Sequence, residues 1–142
     1  MAHINKIGDL FAILLPNNKY AYGRLFLEGS VAFYKHRGTT LHDVPTNEDY
    51  EFIVCVHKNC LKNWFFIENR PFKNEQDARP PLYQMKDIGT DNYKIYDYGN
   101  IRQSTKEECA NLEVCAVWEQ DHLIQRLNSD NDDWRKWFPR FY

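Results

Sequence analysis

Cys55, His57 and Cys60 are the tightest cluster of soft and nitrogen ligands in this chain, and Cys109 and Cys115 add two thiols downstream. Zinc takes four such ligands, usually with cysteines in pairs two to four residues apart. Here the spacings are Cys-x4-Cys and Cys-x5-Cys. Cys55 lies inside an apolar, β-branched run, Phe52-Ile53-Val54-Cys55-Val56. His57 falls on the same face of an extended strand as Cys55, two residues on. A packing role fits better than ligation: all four thiols read as reduced, with Cys55 and Cys115 as small core hydrophobes. No metal site is expected.

A nucleophilic enzyme needs a Cys or Ser, a reachable His and an orienting carboxylate. With 5 His and 4 Cys, such pairs can always be named. No Gly-x-Ser-x-Gly elbow singles one out. His3 sits near the terminus, His36 and His42 border a polar segment, and His122 lies on the polar side of an amphipathic one. The 6 glycines form no phosphate-binding cluster. The expectation is a protein without catalytic residues or cofactor.

Charge points elsewhere. Net charge is -2, which argues against general nucleic-acid binding. From Glu107 to Asp133 there are 8 acidic residues against Arg126 alone. Most such runs are solvated faces. The alternative is a surface that meets a basic protein partner, with Glu107, Glu108, Glu119 and Asp121 as its candidate contacts. Carboxylates placed this way speed association by steering. The end of the chain, Trp134 to Tyr142, combines aromatics with Arg135, Lys136 and Arg140. It could stack on single-stranded nucleic acid, or dock as an anchor on its own domain, the reading the overall charge favours.

These residues need a scaffold, and 142 residues suffice for one domain spanning 1–142 with a real core. No apolar run approaches the length of a membrane span. The opening residues lack the apolar stretch of a secretory signal, so a cytoplasmic protein is expected. Asp9 to Leu15 reads as a strand stopped by Pro16, with Asn17-Asn18 as the turn. In the next strand, Tyr20 to Glu28, Tyr20, Tyr22, Arg24 and Phe26 alternate with Ala21, Gly23, Leu25 and Leu27. One face is aromatic and the other small and aliphatic. Gly23 in mid-strand marks a bulge or a close approach. Val31 to Lys35 follows, then a loop over 36–49 that invites a functional role. Tyr50 to Val56 is the strongest strand. Further strands fall in 61–72, 82–88 and 93–101, with a loop over 73–81. Thr105 and Glu108 have capping-box spacing for a helix. Val117, Trp118, Leu123, Ile124 and Leu127 outline a second amphipathic helix. The fold class is therefore α+β: a mostly antiparallel twisted sheet or partly open barrel of about six or seven strands, with one or two C-terminal helices. Nothing in the sequence specifies an oligomer.

The opening run Gly8-Asp9-Leu10-Phe11-Ala12-Ile13-Leu14-Leu15-Pro16, followed by Lys19-Tyr20-Ala21-Tyr22-Gly23-Arg24-Leu25-Phe26-Leu27, resembles the N-terminal signature of the bacterial immunity protein 26 family. The resemblance is clearest over about residues 7–34, where Ala32-Phe33-Tyr34 looks like the family's third element. Leu112-Glu113, Val117-Trp118-Glu119, Leu123 and Arg126-Leu127 share the family's look near the C-terminus. The resemblance implies an α+β fold, a cytoplasmic location and neutralisation of a cognate toxin by direct binding, with a nuclease as one candidate toxin. It carries over no catalytic residue and no cofactor. Some proteins with this signature carry a phosphotriesterase label. A small metal-assisted hydrolase using Cys55, His57 and Cys60 is accordingly one alternative, and a single-strand nucleic-acid module the other. The chain lacks the histidine-rich metal set that such hydrolysis recruits.

Overall fold

The computed structural model describes residues 3–87 and 89–129. The fold is α+β, with nine strands in two sheets among these residues. The larger sheet has the order β5-β1-β2-β3-β4-β9. Its strands are β1 (Asp9–Leu14), β2 (Tyr20–Leu25), β3 (Ser30–Tyr34), β4 (Tyr50–Val56), β5 (Phe65–Asn69) and β9 (Val117–Trp118). β1 to β4 form an antiparallel meander, β5 returns antiparallel beside β1, and β9 runs parallel to β4. The smaller sheet is an antiparallel meander of β6 (Tyr83–Lys86), β7 (Tyr93–Asp97) and β8 (Asn100–Ser104). Two short helices follow, α1 (Lys106–Cys109) and α2 (Gln120–Leu127). The large sheet is open, not closed into a barrel.

Both faces of the large sheet are buried. One carries Phe11, Ile13, Ala21, Leu25, Val31, Phe33, Phe52, Val54 and Val56, covered by Cys60, Trp64, Trp118, Leu123 and Leu127. The other carries Leu10, Ala12, Tyr22 and Tyr34, with Leu41 and Val44 packed against it. The alternation in β2 is thus a partition between two cores: its small aliphatic face meets the first and its tyrosines the second. Residues 36–49 are the cover of that second core. The Tyr22 hydroxyl donates to the carbonyls of Thr40 (2.9 Å) and Leu41 (3.0 Å), and Gly38 exchanges backbone bonds with Tyr20.

The turn at Asn17-Asn18 forms as expected, with Asn18 at φ 64° and its N–H on the Leu15 carbonyl at 3.0 Å. Gly23 is a close approach with no bulge: a Cβ there would lie 2.7 Å from a Val31 methyl. Two expectations need correcting. Residues 93–101 are not one strand, because Tyr98 (φ 43°) and Gly99 (φ 93°) turn the chain back into β8. Val117 and Trp118 are not helical; they ladder onto β4, the Trp118 carbonyl accepting the His57 N–H at 2.9 Å, and α2 begins only at Gln120.

Candidate functional site

The signature residues are drawn together around the segment 68–72. Gly8 donates its N–H to the Leu25 carbonyl and accepts the Arg70 N–H, both at 2.8 Å. The Asp9 carboxylate, 1% exposed, accepts from the Lys6 N–H (2.7 Å) and the Asn69 amide (2.9 Å), and lies 2.7 Å from His3 Nε2. Arg24 is 7% exposed. Its Nε and Nη2 donate to the Arg70 carbonyl at 3.1 and 2.6 Å, Nη2 also reaches the Pro71 carbonyl, and Nη1 donates to the Tyr50 hydroxyl at 3.0 Å. The guanidinium stacks 3.7 Å over the Phe72 ring. Such planar stacking and forked donation suit arginine and not lysine.

Sequence reasoning missed the hub of this region, Glu48. Its carboxylate accepts from the Tyr34 hydroxyl, the Tyr50 hydroxyl (3.1 Å) and Arg70 Nη1 (3.2 Å), and lies 3.6 Å from Arg24. Burial, then the bond to Glu48, pushes the Tyr34 phenol far above its ordinary range. Burial raises Tyr50 against the opposing pull of Arg24. The signal available was the aromatic and cationic face of β2, which had to find an acid somewhere; a loop glutamate 24 positions from Arg24 gave no local cue.

The cysteines divide differently from the expectation. Cys60 and Cys109 are the buried thiols, Cys55 is half-buried and Cys115 exposed. Cys55 pairs across the ladder with Ser30, and its thiol lies 3.6 Å from the Ser30 hydroxyl. Cys60 instead belongs to the core on the other side of the sheet, against Trp118. The metal reading of Cys55, His57 and Cys60 fails on that geometry. His57 caps the 3₁₀ helix Lys58–Asn63, its Nδ1 accepting the Asn59 N–H at 3.2 Å. Among the described residues no three His, Cys, Asp or Glu side chains gather as metal ligands would. His36 and His42 belong to the loop that covers the second core, His36 Nε2 lying 2.6 Å from the Asp43 carbonyl.

The acidic candidates sit at the starts of the two helices. Thr105 caps α1, accepting the Glu108 N–H at 3.2 Å, so one arm of the expected capping box forms, while the Glu108 carboxylate turns to Arg102 and Ser104. Glu107 and Glu108 occupy the first turn, where carboxylates complement the helix dipole. Glu108 takes both guanidinium arms of Arg102 (3.1 and 3.2 Å) and a bond from Ser104, and these hold its carboxyl below the usual range. Glu119 caps α2 without a side-chain bond, and Asp121 lies in its first turn; both are exposed. Arg126 is turned inward, paired with Glu113 at 2.6 and 3.0 Å and stacked 3.6 Å from the Phe52 ring. Glu113 is therefore spent on the core, which leaves Glu107, Glu119 and Asp121 as the outward charges of the four candidates and Glu108 as a compensated one. Asp130, Asp132, Asp133 and the aromatic stretch Trp134 to Tyr142 lie outside the described residues. Among the described residues no helix is long and apolar enough to cross a membrane.

The chain matches no protein-family model, no curated protein and no solved structure.

Proposed function

We propose that this chain is an immunity protein of the immunity protein 26 type, which binds a cognate bacterial toxin in the cytoplasm and neutralises it by occlusion, without catalysis, metal or cofactor. The observation that carries this reading is the opening run, Gly8-Asp9 through Tyr22-Gly23-Arg24, with its likeness to that family's signature. Glu107, Glu119 and Asp121 form the contact surface, with Glu108 in a lesser role because Arg102 already neutralises it. A nuclease fits as the toxin, since its cleft is built to hold phosphates and is basic. Carboxylates facing such a cleft raise the association rate by about 10-fold to 1,000-fold at low salt.

The test is co-expression with the toxin encoded beside this gene, followed by stopped-flow binding. Protection of the host cell is expected. Changing Glu107, Glu108, Glu119 and Asp121 to Lys slows association at least about tenfold at low salt and less at high salt. A toxin that stays fully active beside this protein overturns the function. An unchanged association rate in the folded variant removes the surface but leaves the function standing.

A further inference from the structure

Cys55 and Cys115 lie on neighbouring segments at the seam between the two sheets. Cys55 is the ladder partner of Val117, so Cys115 stands two residues before the partner of Cys55. The Cys115 N–H donates to the Gln84 carbonyl at 2.8 Å, which fixes it beside β6. The neighbouring Tyr83, 2% exposed, reaches back across the seam: its hydroxyl lies 3.0 Å from the Ser30 hydroxyl, itself 3.6 Å from the Cys55 sulfur. The other two thiols are buried, Cys60 at 2% exposure and Cys109 at 0%. An oxidant in water therefore meets the exposed Cys115 first, with the half-buried Cys55 on the neighbouring segment.

We propose that Cys55 and Cys115 are an oxidation site at which a peroxide installs a disulfide between β4 and the segment leading into β9. The Cys115 thiolate attacks the peroxide O–O bond, gives a sulfenic acid and releases hydroxide, which takes up a proton to leave as water. The Cys55 thiolate then attacks the Cys115 sulfur, forms the S–S bond and expels the sulfenic oxygen as a second water. Two electrons pass from the sulfurs to one hydrogen peroxide. Cys115 is held to β6 through its N–H and Val117 to β4 along the ladder, so bonding geometry is reached by rotation of the two cysteine side chains and by adjustment at Ala116 between those holds. The bond would pin the chain immediately ahead of Glu119 and Asp121. It does not depend on the proposed function, and its test needs no toxin.

Burial and the charge of Cys55 raise the Cys115 thiol, so its thiolate is scarce at neutral pH and oxidation quickens as the solution becomes more alkaline. The experiment treats the reduced protein with hydrogen peroxide, blocks the remaining thiols with iodoacetamide and maps peptides by mass spectrometry. The expected result is one intramolecular Cys55–Cys115 cross-link, with Cys60 and Cys109 alkylated only after unfolding. Cys55→Ser abolishes the cross-link and leaves Cys115 as the oxidised residue; Cys115→Ser abolishes it with Cys55 reduced. Both variants are expected to melt with wild-type cooperativity, because neither thiol lies in a buried core. Cross-links solely between molecules, a different pairing, or Cys115 over-oxidised beside a free Cys55 in the unsubstituted protein would each overturn the proposal.

Discussion

Gly8→Ala tests whether the opening signature works by holding the backbone of 68–72 against the sheet. Gly8 has φ +94°, where an L side chain carries strain of about 1–3 kcal/mol. A Cβ there would also sit 2.5 Å from the Arg70 carbonyl oxygen, which is backbone and cannot swing aside. That oxygen is the acceptor for two Arg24 donors, at 3.1 and 2.6 Å. Moving it to ordinary contact distance weakens at least one charge-assisted bond, worth about 1.5–3 kcal/mol. The combined cost is about 2.5–6 kcal/mol, a large share of the stability of an ordinary domain. Gly99→Ala is the matched control. It has nearly the same φ, +93°, but no atom within 4 Å of the added Cβ, so it carries the strain alone. Urea unfolding of both variants, compared at a common slope, separates the two contributions. If Gly8→Ala loses no more stability than Gly99→Ala, the close approach to Arg70 is not what makes glycine necessary at this position.

Alkali should unfold the protein in a defined window. Tyr22 is pushed up to about 12 by burial and by Asp43, and Tyr34 and Tyr83 are also raised by burial. The folded state holds these protons more tightly than the unfolded one, so their contribution is complete below about pH 10; that of Tyr22 is lost as pH rises through about 12, and those of Tyr34 and Tyr83 only at higher pH. Urea midpoints measured from pH 8 upward should fall across that window; a flat profile contradicts the burial of these phenols. Glu113→Gln takes the carboxylate from Arg126, which is 8% exposed and packed on Phe52. The expected loss is about 2–3 kcal/mol, recovered in part by adding Arg126→Met, because a methionine fits an apolar surface without a charge to satisfy. Equal losses in the single and double variants would show that the pair is not the source of the cost.

Local pattern carried much of the fold. β1 and β4 are short apolar runs bounded by Pro16 and by the polar 36–49 segment, and the Thr105 cap needs only its own next three residues. Where two structures share one local pattern, the sequence was silent. Val117 and Trp118 fit a helical stripe and a two-residue strand equally well, and the backbone of β4 decides between them. Tyr93 to Ile101 is rich enough in β-formers to read as one strand, and the Tyr98-Gly99 turn divides it so that the mostly exposed β8 can fold back. Cys55 looked buried because its neighbours are apolar, yet alternation puts it opposite Ser30 at a seam, away from the core that Val54 and Val56 enter.

The signature shows the same limit in a form that bears on function. Its residue types are legible locally, but Arg24 finds its acceptors 46 and 47 positions away, at Arg70 and Pro71, and Gly8 is needed because of the Arg70 carbonyl. Asp9, Tyr22 and Arg24 have spent their polar atoms inside the protein and have little left to offer a partner. A resemblance carried by such residues speaks for a scaffold that another chain can share while binding something different. On the proposed function, specificity then falls to side chains on which the scaffold makes no demand. Glu107, Glu119 and Asp121 meet that condition, being exposed and placed by the starts of helices whose inner residues, Cys109 and Leu123, do the packing. Substitution at those three positions should alter binding at nearly constant stability, while substitution at Gly8 or Arg24 should lower stability first and binding only through it.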